Sequence, residues 1–392
     1  MIEQLELTNF KAFQHAEIAF RPLTLLTGLN STGKSSVLQA LALLHQSYTA
    51  GQLDHATDLA DGRPELAAAE GFLLNGELVE LGTGQDVLTE DFLGEAQVTL
   101  AIVDAHLRYS WTVAYHQDQD LLPLTAVELP GTTEGADAPS GDAASIPEYF
   151  RAGFQYLRAD RIVPAVGYPR SHQVAIKRGF LGIHGEHAVN YLRHHADYSV
   201  PKGLRHRNAS GHRLVEQVDA WMQELCPGVN VRAIAIEGTD TVNLSYAFGG
   251  TSGVNSTLRR RPTNVGFGLT HALPIVVACL TARPGSLVLL ENPEAHLHPK
   301  GQTQMALLAA AAGAHGAQLV VETHSDHVLN GVRLAVKNQI IDSTDVALHY
   351  FRGGESGLGV EVISPNVGAD GLLDQWPEGF FDEWENALDQ LI

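Results

Sequence analysis

The sequence predicts an α/β fold whose core is a parallel sheet, with a β-rich N-terminal lobe and a helical insert. Three observations carry that expectation. Apolar runs of strand length alternate with stretches of helical spacing through the last third of the chain, the pattern of parallel strands joined by helical crossovers. The opening stretch instead alternates apolar and polar positions, as antiparallel strands do. Between these two regions an apolar run, Leu23–Thr27, leads into a turn bounded by Gly28 and Gly33 and then into a helix-patterned stretch.

Taken in order, Ile2, Leu5 and Leu7 mark a first strand, Ala16 to Phe20 a second and Leu23–Thr27 a third. Val37, Leu38, Leu41 and Leu44 fall at helical spacing and place a helix directly after the turn. Residues 97–115 read as paired strands, whereas 131–145 offers no core-forming side chain and reads as a surface loop. Leu214, Val218, Trp221, Met222 and Leu225 share one helix face within 211–225. A strand pair follows at 229–248, a loop containing glycine and arginine at 249–262, and a buried helix at 265–282. A strand at Leu287–Leu290, a helix at 300–312, a strand at 318–321 and a helix at 325–337 complete the pattern. No internal repeat and no sustained heptad occurs, so no long coiled coil is expected.

Composition bounds the function. The 392 residues are 44% hydrophobic and 18% charged, which suits one large domain or two moderate ones and excludes a disordered chain. The longest apolar run, Leu273 to Leu280, contains Pro274 and falls far short of the ~20 residues of a membrane span. Met1 to Phe10 carries Glu3 and Glu6 and lacks the basic start of a signal peptide. Cys226 and Cys279 are too few for a disulfide framework or a metal site, and a cytoplasmic protein is expected. With 25 Lys and Arg against 45 Asp and Glu, the formal net charge is -20. Neutralising phosphates drives nucleic-acid affinity, so this balance argues against a chain that wraps DNA alone, while leaving room for a local basic stripe.

Gly28-Leu29-Asn30-Ser31-Thr32-Gly33-Lys34-Ser35 matches G-x-x-x-x-G-K-[ST] at every fixed position, between a predicted strand and a predicted helix. Its glycines allow a turn tight enough to aim successive N–H groups at phosphate oxygens, and the helix N-terminus adds partial positive charge. Asn30, Ser31, Thr32, Gly33, Lys34, Ser35 and Ser36 are therefore candidate nucleotide-binding residues. In this pattern Lys34 faces the β- and γ-phosphates and the Ser35 hydroxyl meets Mg²⁺. Such a site also requires a carboxylate at a neighbouring strand end. Leu287–Leu290 supplies one, running into Glu291-Asn292-Pro293-Glu294, and the next predicted strand ends in Glu322-Thr323-His324-Ser325.

Together these segments resemble the ATP-binding-cassette ATPase superfamily, in its SMC-like, RecF-like and OLD-like branch. Leu7-Thr8-Asn9-Phe10-Lys11-Ala12-Phe13 looks like that branch's L-x-N-F-K-x-F start. Asn264-Val265-Gly266-Phe267-Gly268 sits where the signature belongs, and Ala295-His296-Leu297-His298-Pro299 resembles the D-loop. More narrowly, Phe154 to Arg161 (FQYLRADR) and Trp376 to Phe381 (WPEGFF) are similar to landmarks of bacterial AAA-type ATPases with a C-terminal domain of unknown function.

The resemblance implies a P-loop NTPase of ABC-ATPase head type spanning residues 1–392. Its parts would be an N-terminal lobe at 1–130, an insert at 146–262, a lobe with signature, Walker B and switch histidine at 263–352, and a tail at 353–392. It implies ATP and Mg²⁺ as cofactors, Ser35 and Glu291 on the metal, and His324 as the switch histidine. It also implies a homodimer or higher homo-oligomer joined through ATP, with Asn264, Gly266 and Gly268 of one copy completing the other's site. The expected activity is slow ATP hydrolysis coupled to a separate effector protein, in anti-phage defence or DNA maintenance and repair, with DNA a possible partner and no membrane. The other reading is a nucleotide-gated scaffold or sensor that recruits or restrains an effector without acting on DNA.

Two departures from the family pattern matter. The signature reads Val-Gly-Phe-Gly instead of a Ser-Gly-Gly type, and the usual Asp-Glu pair reads Glu291-Asn292. An amide hydrogen-bonds water but accepts no proton at neutral pH, so Glu294 is the candidate base, with Asn292 and His324 beside it. The alternative for Glu294 is capping the following helix.

His296 and His298, two residues apart beside a proline, suit a helix start better than a metal. Glu237-Gly238-Thr239-Asp240 echoes a Toprim nuclease motif but falls on a predicted hairpin turn, outside that motif's context. Two basic clusters, Arg205/His206/Arg207/His212/Arg213 and Arg259/Arg260/Arg261, are either solvated loops or phosphate contacts. Gln85 or Asp86 is the candidate for the Q-loop position.

Overall fold

The computed structural model describes residues 1–53, 70–130, 147–151, 153–249, 258–354, 359–382 and 388–391. The loop predicted at 131–145 lies outside them. In chain order the chain forms β1 (Ile2–Phe10), β2 (Phe13–Ala19), β3 (Leu23–Gly28), helix α1 (Lys34–Thr49), β4 (Gly71–Leu73), β5 (Gln97–Asp104), β6 (Leu107–Ala114) and β7 (Leu121–Glu128). There follow β8 (Phe154–Leu157), β9 (Tyr168–Pro169), α2 (Ala188–His194), α3 (Leu214–Leu225), β10 (Val229–Ala235) and β11 (Thr241–Phe248). The last third holds α4 (Phe267–Thr281), β12 (Leu287–Glu291), α5 (Pro299–Ala314), β13 (Gln318–Glu322), α6 (Asp326–Lys337), β14 (Val346–Gly353) and β15 (Val360–Ile363). The two longest of these helices have 16 residues, so no long coiled coil occurs among the described residues. None of the described helices is long and apolar enough to cross a membrane.

The chain divides into two compact units. The first comprises Met1–Arg21, Gly28–Ala152 and His349–Ile363. Its antiparallel sheet runs in the order β2-β1-β5-β6-β7-β4. The period-two pattern of the sequence decides which face is inside: Leu5 pairs with Ile18 on one side and Ile102 on the other, and all three are fully buried. Between Leu5 and Leu7, Glu6 turns outward and takes the Arg108 guanidinium at 2.8 Å. On α1, the buried Gln46 side chain accepts from the Leu78 and Val79 N–H groups and donates to Leu73 O, fastening that stretch of chain to the helix. β14 and β15 form a hairpin with Phe351 opposite Val362.

The second unit comprises Pro22–Thr27, Gly153–Leu348 and Ser364–Ile392. Its parallel strands run in the order β3-β13-β12-β8. In register, Leu26 lies beside Glu322, Glu322 beside Glu291, and Leu290 beside Leu157. These strands read as continuous apolar runs because a parallel sheet is covered on both faces. Residues 269–280 of α4 are likewise buried all round. α5 and α6 cross closely at Gly331, where a Cβ would come within 2.6 Å of the Ala306 Cβ and 2.8 Å of Thr303 O. Near the end of α6, Arg333 donates to Gly371 O at 2.8 Å and lies over the Trp376 ring. A separate antiparallel sheet, β10-β11-β9, has the 236–240 turn between its first two strands, which is where the Glu237–Asp240 motif falls.

Candidate functional site

The glycine-bounded loop belongs to the first unit. Three of its residues take left-handed backbone: Gly28 (φ 137°), Ser31 (φ 62°) and Gly33 (φ 89°). Two of these have a steric reason as well. A Cβ at Gly28 would lie 2.0 Å from Phe351 O, and one at Gly33 would lie 2.5 Å from the Phe13 ring. Phe13 and Phe351 themselves pack edge to face, so the loop lies on an aromatic pair. The Thr32 hydroxyl donates to Leu29 O at 2.8 Å, and the Lys34 ammonium folds back to Gly28 O at 3.2 Å and to Leu29 O. α1 then starts at Gly33 with no side-chain cap and no acid in its first turn. The positive end of a 16-residue helix is thus not neutralised by its own first-turn side chains. The tight glycine positions and the uncapped helix fit a polyphosphate.

The acidic strand end and the histidine belong to the second unit, and they are wired together there. Tyr156 O–H donates to one oxygen of Glu291, and Ala159 N–H donates to the other at 3.0 Å. Burial first, and then the Glu291 charge, hold the Tyr156 phenol well above its usual pKa, which keeps it a donor. Arg161, only 2% exposed, donates to four main-chain carbonyls: Glu291 at 2.6 Å, Asn292 at 2.8 Å, Arg158 at 2.8 Å and His271 at 3.2 Å. Burial lowers its pKa to about 10 against the pull of Glu294 and Glu291, so the guanidinium stays charged at neutral pH. The FQYLRADR landmark is therefore the brace of the acidic turn. The sequence marks the segment holding Tyr156 and Arg161 but gives neither residue a role, because their partners lie some 130 residues away in the chain.

Asn292 has a backbone reason to be asparagine. Its φ is 44°, in the left-handed region that Asn tolerates better than most residues. Its N–H donates to Glu322 O at 2.8 Å. Glu294 is 9% exposed; its Oε1 accepts from His324 N–H at 2.9 Å, and its Oε2 is buried without a hydrogen-bond partner among the described residues. It does not cap α5. That role goes to His298, whose Nδ1 accepts from Lys300 N–H at 3.4 Å. The His324 side chain is exposed at the start of the next turn, and Ser325 caps α6 by accepting from His327 and Val328 N–H while donating to Gln302 at 2.6 Å.

The signature segment opens α4. Asn264 and Gly266 are exposed, and a Cβ at Gly266 would meet nothing within 4 Å. Gly268 differs: a Cβ there would lie 2.4 Å from His296 O, so glycine lets α4 pack on the D-loop. Phe267, His271 and His296 form an aromatic cluster, with ring centroids 4.5 to 5.4 Å apart. The His271 ring faces the Ala159 and Ile162 backbone without reaching hydrogen-bond geometry. Burial, then Arg161 and His296, push its pKa down to about 4. Glu291, Asn292, Glu294, His324 and Gly268 are thus linked within one unit, while Asn30 to Ser36 stand in the other. Among the described residues no group of three or more His, Cys, Asp or Glu is arranged to hold a metal by itself.

Three family models match parts of the chain. Residues 1–79 match the model of an "AAA ATPase domain", residues 203–330 that of an "AAA domain, putative AbiEii toxin, Type IV TA system", and residues 341–391 that of a "Protein of unknown function (DUF3696)". No curated protein matches the chain. Among solved structures, the SMC head bound to the C-terminal winged-helix domain of ScpA is 15% identical with a TM-score of 0.51, over 93% of this chain and 98% of that one. The SMC head domain from Thermotoga maritima is 14% identical with a TM-score of 0.43, over 92% and 98% of the two chains. The Smc head with an extended coiled coil bound to the C-terminal domain of ScpA, from Pyrococcus furiosus, is 12% identical with a TM-score of 0.49, over 100% and 99%. The fold is that of an SMC ATPase head.

Proposed function

We propose that this chain, which has the SMC-head fold and matches AAA ATPase models over residues 1–79 and 203–330 and the DUF3696 model over 341–391, is an SMC/RecF/OLD-like ATPase that binds ATP with Mg²⁺ and hydrolyses it slowly. The observation that carries this reading is the loop from Gly28 to Ser35, with its three left-handed residues and its uncapped helix. Asn30, Ser31, Thr32, Gly33, Lys34, Ser35 and Ser36 would hold the phosphates, and Ser35 and Glu291 the metal. When bound, Mg²⁺ supplies charge neutralisation at the phosphates. The lobes at 1–130, 146–262 and 263–352 and the tail at 353–392 remain the working division of the chain.

The chain's own residues suggest how the acidic turn acts. Tyr156, Ala159 and Arg161 fix Glu291 and the carbonyls beside it. Glu294 keeps one oxygen on the His324 backbone and leaves Oε2 as a buried acceptor, able to take a proton from water at that atom. Asn292 can orient a water but not deprotonate it. General-base assistance is worth ~10²–10⁴-fold, so a weakly placed base leaves turnover slow rather than absent. The scaffold reading is supported by Asn292, because its left-handed backbone explains the residue without any chemistry.

The ATP-bound form, on this proposal, pairs two copies. Gly266 supports it: unlike Gly268, it has no packing reason among the described residues to be glycine, and its N–H with the exposed Asn264 side-chain amide would meet a second copy's phosphates. The ScpA domain bound to a similar SMC head, and the toxin–antitoxin description of the family matching 203–330, support a separate effector in anti-phage defence or DNA maintenance. The test is nucleotide titration with light scattering. Wild type should bind ATP and become at least dimeric with a slowly hydrolysed analogue. Lys34→Ala should lose roughly 10–100-fold in affinity, the equivalent of one hydrogen bond to a charged group. Unchanged affinity in Lys34→Ala, or a strict monomer at saturation, would overturn the corresponding half of the proposal.

A further inference from the structure

The antiparallel sheet β10-β11-β9 ends on β10. β10 pairs with β11 over its whole length, from Val229 opposite Phe248 to Ala235 opposite Val242, and no described strand lies on its other side. Backbone groups of an antiparallel strand point alternately toward and away from the neighbour. Val229 O accepts from the Gln223 side chain at 3.0 Å and Val231 N–H donates to Asp219 at 2.6 Å, both on α3, so the odd-numbered residues face away from β11. Ile236 N–H donates to Thr241 O at 3.0 Å, so the even-numbered ones face it. α3 thus closes the outer edge as far as the Val231 N–H. Beyond it, the outward N–H and C=O groups of Ala233 and Ala235 have no partner among the described residues.

That stretch lacks the features that normally keep an open edge from pairing with another chain, namely charge, proline or a bulge. Ala233-Ile234-Ala235-Ile236 has neither charge nor proline, and its register with β11 runs unbroken. Ile234 and Ile236 project from the outer face, 44% and 39% exposed. Asn243 stands opposite Ile234 on that face and donates to the O of exposed Val166 at 3.3 Å. The charges stand at the two ends. Arg232 is exposed at one, with Arg259 beside it on the Asn230 side chain at 3.1 Å. Glu237 is exposed in the turn at the other. Neither Arg232 nor Glu237 has an ion-pair partner among the described residues.

We propose that this edge pairs with the same edge of a second copy, antiparallel about a two-fold axis at Ile234, and that it does so without nucleotide. Ala233 of each copy then exchanges backbone hydrogen bonds with Ala235 of the other, Ile234 meets Ile234, and Ile236 lies opposite Arg232. Directly opposite residues share a face, so the isoleucines of both copies cover one another. The antiparallel sense also brings Arg232 of each copy beside Glu237 of the other, whereas a parallel copy would set like charges together. A foreign extended segment could use the same backbone groups, but the match of charge from end to end belongs to a second copy. Pairing stops where α3 closes the edge. The inference does not rest on the ATP reading, because every residue it uses lies outside the nucleotide loop and the signature segment.

The experiment is sedimentation velocity of the full chain without nucleotide, across a concentration series. Wild type should pass from monomer to dimer at roughly micromolar concentration, as suits a small interface. Ala233→Pro removes an outward N–H and leaves every bond to β11 in place, and should weaken the dimer at least about tenfold. Ile234→Lys sets two cations together on the axis and should do the same through an exposed side chain, which covers the case of a poorly folded proline variant, with circular dichroism as the check. Arg232→Glu should weaken the dimer roughly tenfold, since attraction becomes repulsion at two symmetric places. Arg232→Glu/Glu237→Arg should restore it to within about threefold of wild type. The proposal fails if wild type stays monomeric at ~100 μM, if the proline and lysine variants dimerise like wild type, or if the double reversal is no better than the single one. Lys34→Ala should still dimerise without nucleotide, and Ala233→Pro should still associate on a slowly hydrolysed ATP analogue. Those two measurements tell a failure here apart from a failure of the ATP reading.

Discussion

Replacing Glu294 by glutamine separates the chemistry of that residue from its structural duty. Glutamine keeps an oxygen where Oε1 accepts the His324 N–H at 2.9 Å. The exchange turns a charged acceptor, worth ~1.5–3 kcal/mol, into a neutral one worth ~0.5–1.5, a loss of about 1 kcal/mol. At Oε2, an oxygen buried without a hydrogen-bond partner becomes an uncharged amide, which returns part of that loss. Folding stability in urea should therefore stay within about 1 kcal/mol of wild type. Steady-state phosphate release should fall ~10²-fold or more, because no proton acceptor remains there, while nucleotide affinity holds. Asn292→Glu is the converse test: it restores an acid next to Glu291, should speed turnover, and carries a backbone cost of about 1 kcal/mol at φ 44°. Glu294→Gln turning over like wild type at full saturation would remove Glu294 from the chemistry and leave the nucleotide-gated scaffold as the better account.

Two further outcomes follow from the brace behind the acidic turn. Arg161→Met strips the donors from four main-chain carbonyls, one buried and three part-buried, and should cost about 2–4 kcal/mol in urea unfolding; a loss under about 1 kcal/mol would mean that the turn holds without it. His271, with its pKa near 4 when folded, is neutral in the native state, whereas the unfolded chain takes up a proton near pH 6.5. Its contribution to stability is complete above pH 6.5 and is lost as pH falls toward 4, by up to about 3 kcal/mol. His271→Phe should flatten that part of the pH–stability curve, and an unchanged acid limb would show that another group controls it.

The features legible in the sequence were those written in neighbouring residues. The Walker loop, the predicted helices within 211–225 and 265–282, and the strand–helix alternation of the last third all rest on local spacing, and α3, α4, β12, α5, β13 and α6 lie where that spacing put them. β8 was harder. Four residues, Phe154–Leu157, carry too little periodicity to announce a strand, and their place in the sheet is set by pairing with β12 far along the chain. Glu294 shows a finer limit. Its position before a helix invited the capping reading, and only the fold reveals that His298 caps α5 while Glu294 reaches across to His324.

The close crossing at Gly331 gives α5 and α6 a mechanical meaning. α5 begins at the D-loop and α6 directly after His324, and Ser325 already bonds Gln302 across their starts at 2.6 Å. With Gly331 against Ala306 and Thr303, any side chain at that position would push the two helices apart. The pair behaves as a single lever with two short handles, one at His296 to His298 and one at His324. Its far end carries Arg333, which grips Gly371 O and lies over Trp376 in the C-terminal segment. Through Arg333 the crossing ties both handles to the tail, more than thirty residues further along the chain.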